Sequence, residues 1–235
     1  MQFKSLKNVL WPLYTFTLLI SATLIAWHLL AQFDFAYPQA YKLLKIDRHI
    51  AKFAPQNRYR EQFEFTTQDE HFQLFSEILS SIQDNGKGLA TISYSHDGNS
   101  SPLLRKAEVV HLERVAKLVD RFYWLGTASL VMSILLFLLI KRVKPAHLKL
   151  KQILAGILVV VLSGSVIIFV IGPKTSFHWL HTQIFPAGDQ WFFYYQDSLM
   201  TTLLKAPDLF GFMGALLVIT ALLIYSCLLY ISLKV

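Results

Sequence analysis

The chain has 235 residues, of which 54% are hydrophobic and only 16% are charged. Globular chains carry about 25% charged residues, so this composition excludes an ordinary soluble protein. The formal net charge of +7 does not indicate nucleic-acid binding, because the excess positive charge comes from short segments without acidic residues and does not line one folded face.

Four apolar stretches explain the low charge, and they cover residues 9–31, 122–140, 153–171 and 209–233. None contains Asp, Glu, Lys or Arg, and each is close to the roughly 20 residues that cross a bilayer as a helix. The first stretch is longer than the apolar core of a signal peptide, so we expect it to be retained. The predicted fold is an all-α membrane protein, a four-transmembrane-helix bundle with a small, mostly helical extracytoplasmic domain between helices 1 and 2.

Basic residues predict the orientation, because cytoplasmic segments are rich in Lys and Arg. Segments 1–8, 141–152 and 234–235 contain no acidic residue, and their basic residues are Lys4, Lys7, Lys141, Arg142, Lys144, Lys149, Lys151 and Lys234. We therefore expect a multi-pass protein of the cell membrane with both termini in the cytoplasm. Segments 32–121 and 172–208 then lie outside.

The first outer segment has the patterns of a folded domain. Apolar residues recur at helical spacing over 36–53, and Thr67 with Glu70 forms a capping-box pattern before an amphipathic run. Residues 89–94 alternate weakly and predict a short strand. Helical spacing returns over 103–121 and predicts a helix that continues into the second span.

The second outer segment is dense in aromatic side chains. They include Phe177, Phe185, Trp191 and Phe192. One interpretation is an aromatic belt at the headgroup level, which composition alone favours. The other is a wall that binds a lipid-like substrate.

The predicted topology sorts the eight histidines. His147 falls in the cytoplasmic loop, His28 lies near the outer end of the first span, and the solvated outer region holds His49, His71 and His96. His111, His178 and His181 remain together on the outer face. Two such histidines could deprotonate a nucleophile and hold the oxyanion that forms, although the spacing of His178 and His181 also suits a metal-ligand pair.

Two short elements give the chain a family resemblance. They read Glu108-Val-Val-His111-Leu112-Glu113-Arg114-Val115 and His181-Thr-Gln-Ile184-Phe185, the latter continuing to Trp191-Phe192, Asp197-Ser-Leu and Pro207-Asp-Leu-Phe210. With the four spans, they resemble the membrane intramolecular transacylase family that makes lyso-form lipoproteins. One position departs from the family pattern, because Arg114 stands where the family has Asp. If that Asp orients the histidine, Glu113 or Glu108 would have to replace it.

The resemblance implies an acyltransferase that moves an ester-linked acyl chain of a diacylglyceryl lipoprotein to the α-amine of its N-terminal cysteine. Its implied catalytic residues are His111 and His181, with the base and the oxyanion donor not distinguished. The implied substrate-binding residues are Phe177, Phe185, Trp191 and Phe192, and the supporting residues are Glu108, His178 and Asp197. No cofactor or metal is required, and the partners are the lipoprotein substrate and membrane lipids, with no nucleic acid.

Two other hypotheses compete with the acyltransferase. Histidines on four helices could ligate haem in an electron carrier, but here they lie in or beside polar loops. A non-enzymatic scaffold or accessory subunit could instead use the outer domain to bind a partner, because that domain is larger than a simple connector.

Overall fold

The fold is mostly helical, and the structure, a computed structural model, describes residues 2–144, 150–186 and 188–234. His147 and Lys149 of the predicted cytoplasmic loop lie outside the described residues. The longer elements, in chain order, are α1 (Gln2–Gln32), α2 (Tyr37–Leu43), α3 (Ile46–Phe53), α4 (Gln68–Gln83), β1 (Ser93–His96), β2 (Asn99–Pro102), α5 (Lys106–Val143), α6 (Leu150–Ile171), α7 (Pro173–Ile184), α8 (Leu199–Leu204) and α9 (Asp208–Lys234). Short 3₁₀ turns cover Asp34–Ala36, Ala54–Gln56, Phe63–Phe65 and Leu89–Thr91.

Within the described residues, three helical stretches are long and apolar enough to cross a membrane. They are Val9–Gln32 of α1, all of α5, and α9. A fourth candidate exists if Ala155–Ile171 of α6 and Lys174–Ile184 of α7 count as one broken span. The protein is thus a mostly helical membrane protein. As the spacing predicts, α5 continues unbroken from the polar region into the second apolar stretch.

Two compact units can be distinguished, and the first comprises residues 1–29, 122–172 and 215–235. Its buried cluster consists of Leu10, Trp11, Tyr14, Leu18, Ala22, Leu136, Ile140, Tyr225 and Leu229. Large apolar side chains such as Phe16, Phe169 and Leu223 are exposed. Exposed apolar surface of this extent is what helices surrounded by lipid tails present.

Small residues bring α1 and α5 into close contact in this first unit. A Cβ atom added to Gly126 would lie only 2.6 Å from Cβ of Leu24, so a larger residue would force the helices apart. The Ser133 hydroxyl donates to Oγ1 of Thr17 at 2.9 Å. Small side chains and hydroxyl pairs of this kind are typical of helix interfaces in membranes.

The second unit comprises residues 30–121 and 173–214. Tyr37 of α2 stacks on Phe75 of α4 with ring centroids 4.0 Å apart. The Tyr37 hydroxyl donates to the Leu203 carbonyl of α8 at 2.9 Å. The buried aromatic pair therefore joins the two chain segments that make up this unit.

Local signals in the second unit agree with the structure at the start of α4 and at the hairpin turn. Thr67 is the N-cap of α4, and its side chain accepts from the Glu70 amide at 3.2 Å. Asp97 and Gly98 both have positive φ and connect β1 to β2, with His96 opposite Asn99. A two-residue turn with positive φ suits an antiparallel hairpin.

Two expectations for this unit were wrong, and a third was confirmed in two pieces. The strand predicted over 89–94 begins only at Ser93, because Leu89–Thr91 forms a 3₁₀ turn. The helical spacing over 36–53 corresponds to two helices, α2 and α3, which are separated at Lys45, where the backbone adopts a left-handed conformation with φ 55°.

His71 is the second wrong expectation, because it is 5% exposed and not solvated. Its Nδ1 lies 2.8 Å from the Tyr41 hydroxyl, and its Nε2 lies 2.8 Å from Oγ1 of Thr66. Burial lowers the pKa of His71 to about 4, so the neutral ring forms part of the core at neutral pH.

Candidate active site

The first turns of α5 carry Glu108 and, one turn later, His111. The Glu108 side chain is fully buried, and its Oε2 accepts from the Arg105 amide at 2.7 Å, as acceptors at helix N-termini do. Burial raises the pKa of the Glu108 carboxyl, and the hydrogen bond from Ser198 opposes this shift. Nε of Arg105 lies 3.4 Å from Oε2. Arg105 and Ser198 therefore both fix the carboxyl group of Glu108. Because Glu108 fastens the first turn of α5, it also helps to fix the position of His111 one turn later.

Ser198 links α5 to α8 through the same carboxyl group. Its hydroxyl donates to Oε1 of Glu108, and its oxygen accepts from the Thr201 amide at 2.9 Å as the N-cap of α8. Ser198 is only 1% exposed. The sequence signal that identifies it is an N-cap pattern, a serine directly before the apolar run that forms α8.

The two predicted catalytic histidines lie side by side in this unit. The ring centroids of His111 and His181 are 6.3 Å apart, with an interplanar angle of 27°. Phe185 fills the space beside both, 4.9 Å from His111 and 5.5 Å from His181. Histidine rings at this separation can act on one small group placed between them.

Aromatic rings surround His181, because α7 carries Phe177 four residues before it and Phe185 follows four residues after it. Residues spaced by four share one helix face. The Phe177 ring centroid lies 3.9 Å from that of His181, and Trp191 approaches from the following segment at 5.0 Å. Three of the four predicted substrate-binding aromatics thus contact His181.

The hydrogen bond of His181 defines its tautomer. Its Nδ1 lies 2.8 Å from the Phe177 carbonyl oxygen, and a carbonyl can only accept, so Nδ1 carries the proton. Burial lowers the pKa of His181, although its bond to Phe177 opposes the shift. The ring is therefore neutral at pH 7, and its lone pair is on Nε2.

His111 is 9% exposed, and burial lowers its pKa to about 4, with smaller contributions from the charges of His181 and Arg114. Among the described residues, no hydrogen-bond partner occupies either of its ring nitrogens. A neutral imidazole has one N–H donor and one acceptor, so His111 can bind a substrate atom in either role.

The other predicted site residues have contacts of their own. The ring of His178 contacts Trp191 at 5.2 Å and Phe192 at 5.0 Å. Asp197 forms an ion pair with Arg58 at 2.9 Å. Within the described ranges, no group of three or more His, Cys, Asp or Glu residues is arranged to hold a metal ion.

Arg114, which departs from the family pattern, has a carboxylate partner from a distant part of the chain. Its guanidinium forms an ion pair with Asp189. The pair borders a cavity of about 430 Å³ lined by Lys106, Ala107, Val110, His111, Arg114, Gly188, Asp189 and Gln190. Sequence reasoning missed Asp189 and Lys106 as neighbours of the site, since no short motif joins them to His111. It also missed Phe193, a buried ring 5.9 Å from that of His111.

A known protein family matches most of this chain. The family model described as lipoprotein intramolecular transacylase Lit matches residues 6–210. The chain belongs to this family. It is therefore an acyltransferase-like membrane enzyme, and the scaffold hypothesis is not favoured. No curated protein matched the chain in a separate comparison.

Two solved structures share the fold of this transacylase, and both are of the membrane-integral Lit from Bacillus cereus. They are 13% and 14% identical to the chain, with TM-scores of 0.64 and 0.62. The likeness covers 96% of this chain in both cases, and 95% and 92% of the solved chains. The second structure is of a variant with one histidine replaced by arginine.

Proposed function

We propose that this transacylase moves one ester-linked acyl chain of a diacylglyceryl lipoprotein onto the α-amine of the N-terminal cysteine, with His181 as the general base. The observation that carries the assignment is the hydrogen bond between Nδ1 of His181 and the Phe177 carbonyl. It orients the ring and leaves the basic lone pair on Nε2, because an acceptor at one ring nitrogen decides which nitrogen of an imidazole carries the proton.

The reaction balances with these groups alone. The amine nitrogen attacks the ester carbonyl carbon, the N–C bond forms, and Nε2 of His181 accepts the proton that the amine loses. The tetrahedral oxyanion then collapses, the C–O bond to glycerol breaks, and His181 returns the proton to the glycerol oxygen. Amine and ester belong to one molecule, so positioning supplies much of the rate.

His111 is the proposed donor to the oxyanion. Its neutral ring lies next to His181 and has a nitrogen available for an N–H bond to the developing charge. A donor in a site shielded from water stabilises an oxyanion more than water does. Glu108 and Ser198 support His111 indirectly, because they fasten the first turn of α5.

The aromatic residues are the proposed contacts for the lipid part of the substrate. Phe177, Phe185 and Trp191 surround His181, and Phe192 extends this apolar surface next to His178. The glyceryl ester would sit between the rings, and His178 remains a supporting residue of this wall.

The proposed membrane layout has four spans at residues 9–31, 122–140, 153–171 and 209–233, with both termini in the cytoplasm. It places segments 32–121 and 172–208 outside, on the side where lipid-modified cysteines are exposed to this enzyme. The basic residues of the remaining segments support this orientation. The chemistry is then confined to the outer membrane surface.

The test expresses the enzyme in a host that makes diacylglyceryl lipoproteins without N-acylating them. Tandem mass spectrometry of the N-terminal lipopeptide is needed, because acyl migration leaves the total mass unchanged. Wild type should produce N-acylated cysteine, and His181→Ala should lower the rate by about 10²–10⁴-fold, the usual contribution of a general base.

Glutamine variants separate the two roles. His111→Gln keeps an N–H donor and should retain more activity than His111→Ala, whereas His181→Gln should be as inactive as His181→Ala. His96→Ala, in the β-hairpin, is the matched control and should behave as wild type. Equal conversion by wild type and both His181 variants would contradict the proposal.

A further inference from the structure

We infer that the cavity beside His111 binds the first polypeptide residues after the modified cysteine and favours an acidic residue among them. The inference rests on the proposed function, because it takes the reacting cysteine to lie between His111 and His181. It concerns a different part of the substrate, the peptide and not the acyl chains.

The charges around the cavity do not cancel. Arg114 and Lys106 are its cationic lining residues, and Asp189 is its carboxylate. Asp189 is paired with Arg114, and the nearby Arg105 is engaged by Glu108. In the part of the chain that the structure describes, no carboxylate forms an ion pair with Lys106, so the cavity has one surplus positive charge.

His111 has two sets of neighbours with different chemistry. Its ring neighbours besides His181 are Phe185 and Phe193, which suit acyl chains and glycerol. The cavity lining adds the amide of Gln190 and the charges of Lys106, Arg114 and Asp189 to the apolar Ala107 and Val110. Of the substrate's parts, the polypeptide is the one with backbone amides and ionisable side chains, so it matches this lining.

The distances fit a short stretch of peptide. Lys106 precedes His111 by five residues of helix α5, which corresponds to a rise of about 7.5 Å at ~1.5 Å per residue. An extended chain advances about 3.3–3.6 Å per residue. With the cysteine amine at the histidines, the third residue of the lipoprotein, counting the cysteine as the first, reaches the level of Lys106.

The experiment uses the purified full-length enzyme in zwitterionic detergent and synthetic diacylglyceryl-cysteinyl pentapeptides. These carry Glu, Gln or Lys at the third position. The interaction between two unit charges about 6 Å apart in water changes binding by roughly threefold. The Glu peptide is attracted by the surplus positive charge and the Lys peptide is repelled by it, so wild type should prefer the Glu peptide by about tenfold in kcat/KM. Lys106→Glu reverses the surplus charge and should invert that ratio.

The variant is expected to fold, because Lys106 is the first residue of α5 and an acidic side chain is favourable at a helix N-terminus. Lys42→Glu makes the same charge change at an exposed position of α2 and should keep the wild-type ratio. Conversion of the Gln peptide separates the two proposals. If wild type does not convert it, the proposed function fails. If it is converted but the Glu and Lys peptides react equally, only the inference fails.

A lipid occupant would give a different result. If added phosphatidylglycerol slows conversion of the Gln peptide by wild type but not by Lys106→Glu, the cavity binds an anionic headgroup, and the inference is overturned.

Discussion

Burial controls the charge of several histidines in the second unit. His71, His111 and His181 all have lowered pKa values, and desolvation is the largest cause for each. Such rings remain neutral at pH 7, which leaves His181 able to accept a proton and His111 able to donate a hydrogen bond. The lowered pKa therefore serves two purposes: the proposed catalysis at His111 and His181, and the packing of a neutral ring at His71.

The lowered pKa of His71 predicts that the stability of the folded protein depends on pH. Its pKa is about 4 in the folded protein and about 6.5 when unfolded, so the unfolded state binds more protons between these values. Stability is then full above pH 6.5 and is lost as the pH falls toward 4, by about 3 kcal/mol in total. The fall in Tm between pH 7.5 and pH 5 should be smaller for His71→Gln than for wild type in detergent. An identical fall in both would contradict this prediction, and exposed His178→Gln is the control.

Helix termini organise the site at the level of secondary structure. The N-terminus of α5 and the N-terminus of α8 share one hydrogen-bond network through Glu108 and Ser198. Neither residue reaches solvent, so each polar atom must find its partner within the protein. α7 contributes differently, by presenting Phe177 and His181 on one face.

Removing the Ser198 hydroxyl should destabilise both helix termini. Ser198→Ala deletes an N-cap, which costs about 0.5–2 kcal/mol, and leaves a buried Glu108 oxygen without its donor, which costs about 1–3 kcal/mol. Thermal unfolding followed by tryptophan fluorescence should show a clear drop in Tm. Ser80→Ala, at an exposed position of α4, should unfold as wild type does. An unchanged Tm for Ser198→Ala would show that the network contributes nothing.

The membrane sets the architecture of the whole molecule. Long apolar helices are required because backbone polar groups cannot stay unpaired in hydrocarbon, and glycine and hydroxyl residues then allow the helices to pack closely. Gly126 against Leu24 is the tightest such approach among the described glycines. The proposed orientation follows from the basic loops, and it decides from which side the substrate enters.

Cysteine labelling tests this orientation. The chain has a single cysteine, Cys227, so Cys227→Ser provides a background without thiols. In that background a membrane-impermeant maleimide should label Ser100→Cys in intact cells, because the proposed orientation puts the hairpin outside. Arg142→Cys, at the end of α5, should react only after permeabilisation. The reverse pattern would place the histidines on the cytoplasmic side.

The sequence by itself determined what short-range patterns encode. Apolar length identified the membrane helices, and Thr67 with Glu70 identified the start of α4. The two motif elements identified the transacylase family and singled out His111 and His181. These signals act over a few residues, because helix capping, turn conformation and apolar run length depend on near neighbours.

Only the tertiary structure decided how distant residues meet. It buried His71, joined Ser198 to Glu108, and placed Asp189 against Arg114. From the sequence, Glu113 or Glu108 was expected to replace the family Asp, and the pairing of Arg114 with Asp189 was not foreseen. It also brought His181 beside His111, 70 residues earlier in the chain. Such contacts depend on how complete helices pack against one another, and packing is governed by the combined shape and burial of many side chains and not by any local sequence pattern.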